Sequence, residues 1–397
     1  MSKMQLLHPL EHEDAEAVII GGMVLDIHAS PSIAANPGTT TPGKVYYVQG
    51  GVARNVAECM AKLGAKPYMI SALGFDMAGN LLLEKWKSFG LSIEGILKDK
   101  DIDTPVVCNI FDVNGEVAAG VASVEAIEKY LTPDWISRFK STLLSAPVLM
   151  VDANLSPPSL EASCRLAADA ECPVWFEPVS VAKSRRISSI AEYVTFASPN
   201  EAELIAMADA LLGSDEFRPL KGYDKKNNLS PASLFQLLKP AICLLLEKGI
   251  KVVLVTLGSS GVLLCSKGGP SSIQIPVDKT RRRGFGGELY RNVMKRFPPN
   301  SFLEHGRSSH FFALHLPAVP ASVVRLTGAG DCLVGGTLTS ICAGLDIIQS
   351  VSVGIAVAKA TVEVAANVPS AFSLATIVDD AKCIYSSAKV LFHQSML

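Results

Sequence analysis

The chain has few of the features that mark a secreted, metal-holding or membrane protein. Its nine cysteines are scattered without a C-x-x-C pair, which favours reduced, intracellular thiols that act as small hydrophobic side chains. Its seven histidines show no metal-binding spacing, and no apolar run reaches membrane-spanning length. The acidic N-terminus lacks the apolar core of a secretory signal, and a formal net charge of −2 does not indicate a nucleic-acid surface. The sequence therefore predicts neither a membrane partner nor a nucleic-acid partner.

What the chain does have is length, apolar content and a regular rhythm. It has 397 residues, of which 49% are hydrophobic, so it can bury a large core. Short apolar runs such as Val18 to Ile20, Val148 to Asp152 and Val252 to Leu257 alternate with helical segments. This alternation predicts an α/β fold, with a doubly wound, mainly parallel sheet and helices on both faces.

The most informative motif is Thr327-Gly328-Ala329-Gly330-Asp331, a turn of small residues that leads into an apolar, glycine-containing segment. It places an acidic residue where a helix begins. The amides of such a turn have no helical partners, and the helix dipole adds partial positive charge, so an anion is favoured there. The motif suits phosphoryl transfer to an alcohol, with Asp331 as the base that accepts the hydroxyl proton. The alternative is a structural turn with an acidic residue in the first helical turn.

A second glycine motif lies near the start of the chain. Gly50-Gly51 opens a helical pattern that contains Asn55, and Asp26 follows an upstream apolar strand. Glycines allow a ligand to approach the backbone closely, and an amide side chain both donates and accepts hydrogen bonds, which suits the vicinal hydroxyls of a sugar. Asp26 is expected beyond the carboxyl end of a strand, where ligands of α/β sheets gather, although it could also be a structural loop carboxylate.

Taken together, these motifs resemble the ribokinase-like sugar kinase family, also called the PfkB family. The resemblance spans nearly the whole chain and has four elements in the family's order. They are the first glycine signature (Gly50-Gly51, Asn55, Gly64, Gly74, Asp76 and Gly79), an Asn-x-x-Glu element (Asn200 to Glu203), a nucleotide-binding loop (Thr256 to Gly261), and the second signature (Thr327 to Asp331 with Gly335-Gly336).

Within the family, the wording resembles the pseudouridine kinases more than the ribokinases, fructokinases or adenosine kinases. The segments that carry this likeness are residues 50 to 58, 152 to 156 and 177 to 183. The resemblance implies ATP-dependent phosphorylation of the 5′-hydroxyl of pseudouridine, in nucleoside catabolism. Two alternatives stay open: a kinase for ribose, another nucleoside or a hexose, and a non-catalytic protein that kept the fold and senses a nucleoside.

The resemblance also implies roles for individual residues. Asp26, Gly50, Gly51 and Asn55 would bind the ribose hydroxyls, while Gly328, Ala329, Gly330 and Asp331 would form the catalytic turn. In that turn the amides of Ala329, Gly330 and Asp331 would hold the γ-phosphoryl charge. The remaining roles concern ATP and Mg²⁺. Phosphate contacts would come from Thr256, Gly258, Gly261 and Lys183, and Asn200 and Glu203 would orient magnesium, in part through water. Lys183 could instead be a solvated lysine.

Three parts of the chain are expected to stand apart from the rest of the α/β kinase domain (1–25, 50–103 and 123–397). Residues 26–49 and 104–122, the latter with a hairpin signal at Asn114-Gly115, are predicted to form a small β-sheet, called the lid below. The family resemblance implies that the lid covers the sugar and joins a homodimer. Residues 277–309 carry Arg281-Arg282-Arg283 and several glycines, so they are predicted to be an inserted surface loop, with a basic flap over the triphosphate as the alternative.

Two further expectations concern a monovalent cation and a targeting signal. Many family members have an aspartate before the second signature that helps to bind a monovalent cation, but this chain has Arg325. A potassium requirement is therefore doubtful or met by other groups. Ser395-Met396-Leu397 resembles the Ser-Lys-Leu peroxisomal signal, which predicts a peroxisomal location and otherwise a cytoplasmic one.

Overall fold

The computed structural model describes residues 17–35, 38–113, 117–217, 229–269, 284–298 and 309–395. The hairpin signal at Asn114-Gly115, the basic run at Arg281 to Arg283 and the last two residues, Met396 and Leu397, lie outside the described residues.

The strands fall into two sheets. In chain order they are β1 (Val18–Ile20), β2 (Val24–Pro31), β3 (Gly43–Gly50), β4 (Tyr68–Gly74), β5 (Ile96–Asp99), β6 (Val106–Phe111), β7 (Val117–Ser123), β8 (Leu149–Asp152), β9 (Val174–Glu177), β10 (Phe196–Ala197), β11 (Val252–Thr256), β12 (Val262–Ser266), β13 (Ser309–Leu316) and β14 (Lys389–Ser395). The larger sheet has the order β14-β13-β12-β11-β10-β9-β8-β1-β4-β5.

This larger sheet is mainly parallel, as the sequence predicts. The strands from β11 to β5 pair in parallel, whereas β12, β13 and β14 form an antiparallel edge. Neighbouring residues of one strand belong to different cores: Ile19 packs into one hydrophobic cluster, and Val18 and Ile20 pack into the other. Strands buried on both faces are continuous apolar runs, which explains the composition of β1, β8 and β11.

Helices cover both faces of the sheet, which confirms the predicted α/β architecture. They are α1 (Val52–Lys62), α2 (Met77–Lys87), α3 (Glu125–Tyr130), α4 (Pro133–Ser137), α5 (Lys140–Ser145), α6 (Pro157–Asp169), α7 (Val181–Ser184), α8 (Glu201–Leu212), α9 (Pro231–Glu247), α10 (Gly284–Arg296), α11 (Ala329–Cys342), α12 (Ile347–Val362) and α13 (Leu374–Ser386). Buried residues of α1, α11, α12 and α13 share one cluster, and those of α6, α8 and α9 share the other. None of the helices within the described part of the chain is long and apolar enough to span a membrane.

The smaller sheet corresponds to the predicted lid. Its order is β3-β2-β6-β7, with β2 antiparallel to β3 and parallel to β6. Because β2 follows directly after β1 and β3 leads directly into α1, the lid begins and ends at the carboxyl edge of the large sheet.

Part of the segment predicted to be an inserted surface loop is a helix. Within 277–309, residues 284–296 form α10, and its side chains Leu289 and Val293 are buried in the core, followed by Phe297. These three residues are spaced by four, so they lie on one helical face. The polar and glycine-rich composition conceals this apolar stripe, which holds α10 against the core.

Candidate active site

The carboxyl ends of β1 and β8 meet at a buried carboxylate. Asp152, the last residue of β8, accepts a hydrogen bond from the Gly22 amide at 2.9 Å. A Cβ atom on Gly21 would lie 2.3 Å from that carboxylate, so glycine is needed at this position for the close approach. Burial raises the pKa of Asp152, while the hydrogen bonds from Gly22 and Asn154 oppose that rise. Asp152 therefore holds the backbone after β1 at the edge of the sheet where the predicted ligand-binding residues lie.

The second glycine signature forms the start of α11. Gly328 has φ +85°, and a Cβ atom there would lie 2.1 Å from the backbone oxygen of Asn367, so this position requires glycine. The Ala329 amide donates to the Leu326 carbonyl at 3.3 Å, so this predicted anion donor is already engaged. The amides of Gly330 and Asp331 belong to the first helical turn and lack intrahelical acceptors by position. A Cβ atom on Gly330 would meet no atom within 4 Å, so open space adjoins the turn.

Asp331 is held by a residue from the first glycine signature, 276 positions away. The Nδ2 atom of Asn55 donates to Oδ2 of Asp331 at 2.6 Å. Burial raises the pKa of Asp331 to about 6, while the Asn55 hydrogen bond and the charge of Arg54 lower it. At neutral pH the side chain is therefore mostly ionised, yet it is more basic than an ordinary aspartate, which suits a general base.

Arg54 sets the orientation of Asn55. Its guanidinium is buried and donates to Oδ1 of Asn55, to a carboxylate oxygen of Glu58, to the Gly50 carbonyl at 2.9 Å and to the Gln49 carbonyl at 2.7 Å. Because the amide oxygen of Asn55 faces Arg54, its amide nitrogen faces Asp331. Asn55, which the sequence assigns to the ribose, thus contacts the predicted base directly, and its ribose contact stays a prediction. Arg54 is not among the sequence-predicted site residues.

Asp26, Gly50 and Gly51 lie beside this group, and their predicted binding of the ribose stays a prediction. A Cβ atom on Gly50 would lie 2.2 Å from Oδ2 of Asp26, and one on Gly51, where φ is +94°, would lie 2.4 Å from the Gly22 carbonyl oxygen. Burial raises the pKa of Asp26, whereas Arg54, Arg325 and a hydrogen bond from Asn367 lower it. Asp26 also acts electrostatically on Asp331, so the two predicted functional carboxylates share one neighbourhood.

The predicted magnesium residues form a helix cap. The Asn200 amide donates to Oε2 of Glu203 at 2.9 Å, and the Glu203 amide donates to Oδ1 of Asn200 at 3.0 Å, so both side chains close the N-terminus of α8. Asn200 pairs with Thr256, the first residue of the predicted nucleotide loop. Burial raises the pKa of Glu203. The structure therefore brings Asn200, Glu203 and Thr256 together, and the capping role leaves one Glu203 oxygen and further lone pairs for a ligand.

The nucleotide loop itself is a tight turn after β11. Gly258 and Gly261 have φ +57° and φ +92°, and the Leu257 amide donates to the Gly261 carbonyl at 2.9 Å. A Cβ atom on Gly261 would lie 2.1 Å from the Leu316 carbonyl oxygen, whereas one on Gly258 would meet nothing within 4 Å. Gly261 is thus required by packing, and Gly258 borders open space.

Glu177 lies near both Asp331 and Glu203, although the sequence analysis did not select it as a site residue. It ends β9 and accepts a hydrogen bond from the Ser198 hydroxyl, which in turn accepts one from the Trp175 ring at 2.8 Å. Burial raises the pKa of Glu177 well above its usual range, and the charges of Asp331 and Glu203 raise it further. A carboxylate that ends a buried strand is the signal that could have identified it.

Lys183 lies beside the Asp152 group. Its ammonium donates to Oδ1 of Asn154 at 2.5 Å, and the Asn154 side chain donates to Asp152 at 3.0 Å. Burial lowers the pKa of Lys183, and Asp152 opposes that shift. These contacts connect Lys183 to the glycine pair after β1, so its predicted role at the ATP phosphates stays a prediction.

Comparisons with known proteins show what the chain as a whole resembles. A family model described as pfkB family carbohydrate kinase matches residues 14–280. The chain is 55% identical over 385 residues to the pseudouridine kinase of Arabidopsis thaliana, covering 96% of this chain and 100% of that protein. It is 27% identical over 199 residues to the pseudouridine kinase of Escherichia coli (strain K12), covering 50% of this chain and 63% of that protein.

The solved structure of Arabidopsis thaliana ribokinase complexed with ribose and ATP is similar in fold. Its TM-score is 0.67 at 18% sequence identity, covering 93% of this chain and 99% of that one. The family model ends before the turn at Asp331, so the family match does not depend on that turn.

Proposed function

The chain belongs to the pfkB family of carbohydrate kinases, and from this premise we propose that it transfers the γ-phosphoryl group of ATP to the 5′-hydroxyl of pseudouridine. The product would be pseudouridine 5′-phosphate. The observation that carries the proposal is the hydrogen bond at 2.6 Å between Asn55 and Asp331, which joins the two glycine signatures into one site. The substrate is inferred from the Arabidopsis relative, because that protein is 55% identical to this chain over 96% of its length.

The proposed reaction uses Asp331 as the general base. Its carboxylate accepts the proton of the 5′-hydroxyl as the hydroxyl oxygen bonds to the γ-phosphorus and the bond to the ADP oxygen breaks. A pKa of about 6 lets the group accept that proton near neutral pH. The amides of Gly330 and Asp331 and the dipole of α11 stabilise the negative charge of the migrating group. Asp26, with Gly50 and Gly51 behind it, holds the ribose hydroxyls.

Magnesium is the metal that we propose for this site. Asn200 and Glu203 offer an amide and a carboxylate, the oxygen ligands that Mg²⁺ prefers, and they fit best through water because both already cap α8. When bound, the ion would neutralise phosphate charge. Glu177 lies near Glu203 and Asp331, and their charges help to raise its pKa, so a cation beside these three carboxyl groups would favour their ionised forms.

Potassium, by contrast, is not needed in our proposal. Arg325 stands where the family resemblance implies a cation-binding aspartate, and its guanidinium donates to the Ala365 carbonyl at 3.1 Å. We therefore expect equal turnover in potassium and in tetramethylammonium salts. A strict potassium requirement would contradict this.

A panel of substrates tests the proposed function. Purified protein with ATP and Mg²⁺ is expected to phosphorylate pseudouridine with a kcat/KM far above that for uridine, ribose or a hexose. Comparable rates on ribose would favour the wider sugar kinase alternative. Binding of pseudouridine without turnover of any substrate would favour the sensor alternative.

A homodimer through the lid is also part of the proposal. The row Tyr47, Ile27, Cys108 and Val121 runs across all four lid strands, so these side chains share one face. Tyr47 is 57% exposed and Val121 75% exposed, and the exposed Val45 and Ile110 lie in the next row. Asp26 and His28 lie on the opposite face. An exposed apolar face of this kind is typical of an interface, here with a second copy of the chain.

The location in the cell stays a proposal from the sequence. Ser395-Met396-Leu397 differs from Ser-Lys-Leu only at its middle residue, and we propose peroxisomal import, with cytoplasm as the alternative. A fluorescent protein fused in front of the last ten residues or so is expected to enter peroxisomes, and deletion of the tripeptide to leave it in the cytoplasm.

A further inference from the structure

Arg325 makes contacts that no part of the proposed reaction uses. It lies three residues before Gly328, at the approach to the catalytic turn. The amides of Val324 and Arg325 donate to the Val362 carbonyl at 2.7 Å and 3.2 Å, which fixes this approach to the end of α12. The backbone thus presents the Arg325 side chain between the loop after α12 and the lid.

One end of the guanidinium holds the loop behind the turn. Nη1 donates to the Ala365 carbonyl at 3.1 Å. Two residues later, the backbone oxygen of Asn367 packs against Gly328 and accepts a weak hydrogen bond from the Cys332 thiol at 3.6 Å. A shift of the Ala365 loop would therefore move the surface on which Gly328 and the first turn of α11 rest.

The other end of the guanidinium reaches the lid. Nη2 lies 3.3 Å from Nδ1 of His28, and because arginine can only donate, the histidine nitrogen is the acceptor. His28 is buried, packs edge to face on Phe111 with ring centroids 5.3 Å apart, and belongs to β2, a central strand of the lid. Its ring is therefore packed within the lid.

The same charge acts on the residue predicted to bind the ribose. Asp26 precedes His28 by two residues on β2, and the charge of Arg325 helps to keep its carboxylate ionised against burial. The Asn367 side chain adds a second link on this side, since its Nδ2 donates to the Gln49 carbonyl of β3 at 3.1 Å. Both lid strands next to the site are thus tied to the loop that supports Gly328.

We propose that Arg325 is a positioning residue that couples the lid to the catalytic turn, acting through His28 and the Ala365 carbonyl. It holds Asp26 on the lid and Asp331 on α11 at the separation that one nucleoside spans. This inference rests on the proposed kinase function. It assigns Arg325 no contact with the substrate, and its permanent charge makes the coupling independent of a bound cation.

Steady-state kinetics of full-length variants test the proposal. Arg325→Ala is expected to lower kcat/KM for pseudouridine by about 10- to 100-fold, the scale of a misplacement near 1 Å, while KM for ATP stays within about twofold. The kcat/KM of Arg325→Lys is expected to fall between those of the wild type and Arg325→Ala, because a single ammonium cannot span both acceptors. His28→Phe keeps the ring contact and removes the acceptor, and it should reproduce part of the loss.

A double-variant cycle and chemical rescue separate coupling from simple stability. The double variant Arg325→Ala with His28→Phe is expected to have the same kcat/KM as Arg325→Ala alone, because the two substitutions remove the same Arg325–His28 contact. Millimolar guanidinium should restore activity to Arg325→Ala and not to His28→Phe. Arg165→Ala, an exposed arginine paired with Glu161, serves as the matched control.

Three results would overturn the proposal. They are wild-type kinetics for folded Arg325→Ala, multiplicative losses in the double variant, and full activity of Arg325→Lys. Should Arg325→Ala fail to fold, the Arg325→Lys and His28→Phe comparison decides by itself. An inactive wild-type protein would instead contradict the proposed function, so the two failures are distinguishable.

Discussion

At the scale of single residues, the properties of Asp331 come from its neighbours. Burial raises the pKa of the carboxyl to about 6, against the lowering effect of the Asn55 hydrogen bond and the Arg54 charge. Arg54 acts both through its charge and by turning the Asn55 amide. The sequence identifies Asp331 and Asn55 by their motifs, but it does not show their contact across 276 residues. Arg54 and Glu177 were missed because the sequence does not show which side chains lie close enough to act on Asp331.

The pH dependence of turnover tests this arrangement. The acid limb of kcat/KM is expected near pH 6, because protonation of Asp331 removes the base. Asn55→Leu removes a hydrogen bond that stabilises the ionised form, so the limb should move to higher pH by about 1 unit. The position of the limb is measured, independent of the height of the profile. A limb that stays in place in the variant would show that Asn55 does not control this carboxyl.

At the scale of elements, some local structures can be predicted from the sequence and others cannot. The glycine turn before α11 is fully visible, because only glycine fits φ +85° against the Asn367 backbone. Helix α10 is concealed by the glycines before Leu289 and by the polar residues between its buried positions. The antiparallel edge β12 to β14 is likewise not predictable, because strand direction depends on partners far along the chain.

Substitution of the turn glycines gives contrasting expectations. Gly328→Ala should lower the free energy of unfolding by about 1–3 kcal/mol, because alanine is strained at this φ and its Cβ atom would collide with Asn367. Gly330→Ala should leave stability unchanged or slightly raised, because its Cβ atom would enter open space. Urea titrations followed by circular dichroism measure both. Equal losses in the two variants would contradict the geometry of the turn.

Helix α10 is expected to be part of the folded core. Leu289 is 1% exposed, and Leu289→Ala should cost about 2–5 kcal/mol of stability. Met294 lies on the same helix with 52% exposure, so Met294→Ala should change stability by less than about 0.5 kcal/mol. Thermal and urea unfolding compare the pair. Similar small effects would mean that α10 does not pack on the core in solution.

At the scale of the whole molecule, the alternation of apolar strands and helices was enough to predict a mainly parallel sheet covered on both faces. The small sheet was also predictable, because the hairpin signal at Asn114-Gly115 lies between two short apolar runs that depart from the alternation of strands and helices. How these parts meet was not, since the contacts of Arg325 with Ala365 and His28 join segments with no shared motif.

The lid face provides a prediction at this scale. Val121→Lys places a charge in the exposed apolar face and is expected to shift a dimer to a monomer in sedimentation velocity. Leu237→Lys, at a 41% exposed apolar position on α9, is the matched control and should leave the dimer intact. A wild-type monomer at micromolar concentration, or an unaffected Val121→Lys dimer, would place any interface elsewhere.

The most direct measurement of the central claim is phosphoryl transfer from ATP to pseudouridine by the wild type and by Asp331→Asn, with ATP binding measured in parallel. The variant keeps the shape of the side chain but cannot accept the proton, so kcat should fall by about 10²–10⁴ while the Kd for ATP changes little. Near-normal turnover by Asp331→Asn would contradict the account, because the 5′-hydroxyl would then lose its proton to some other group.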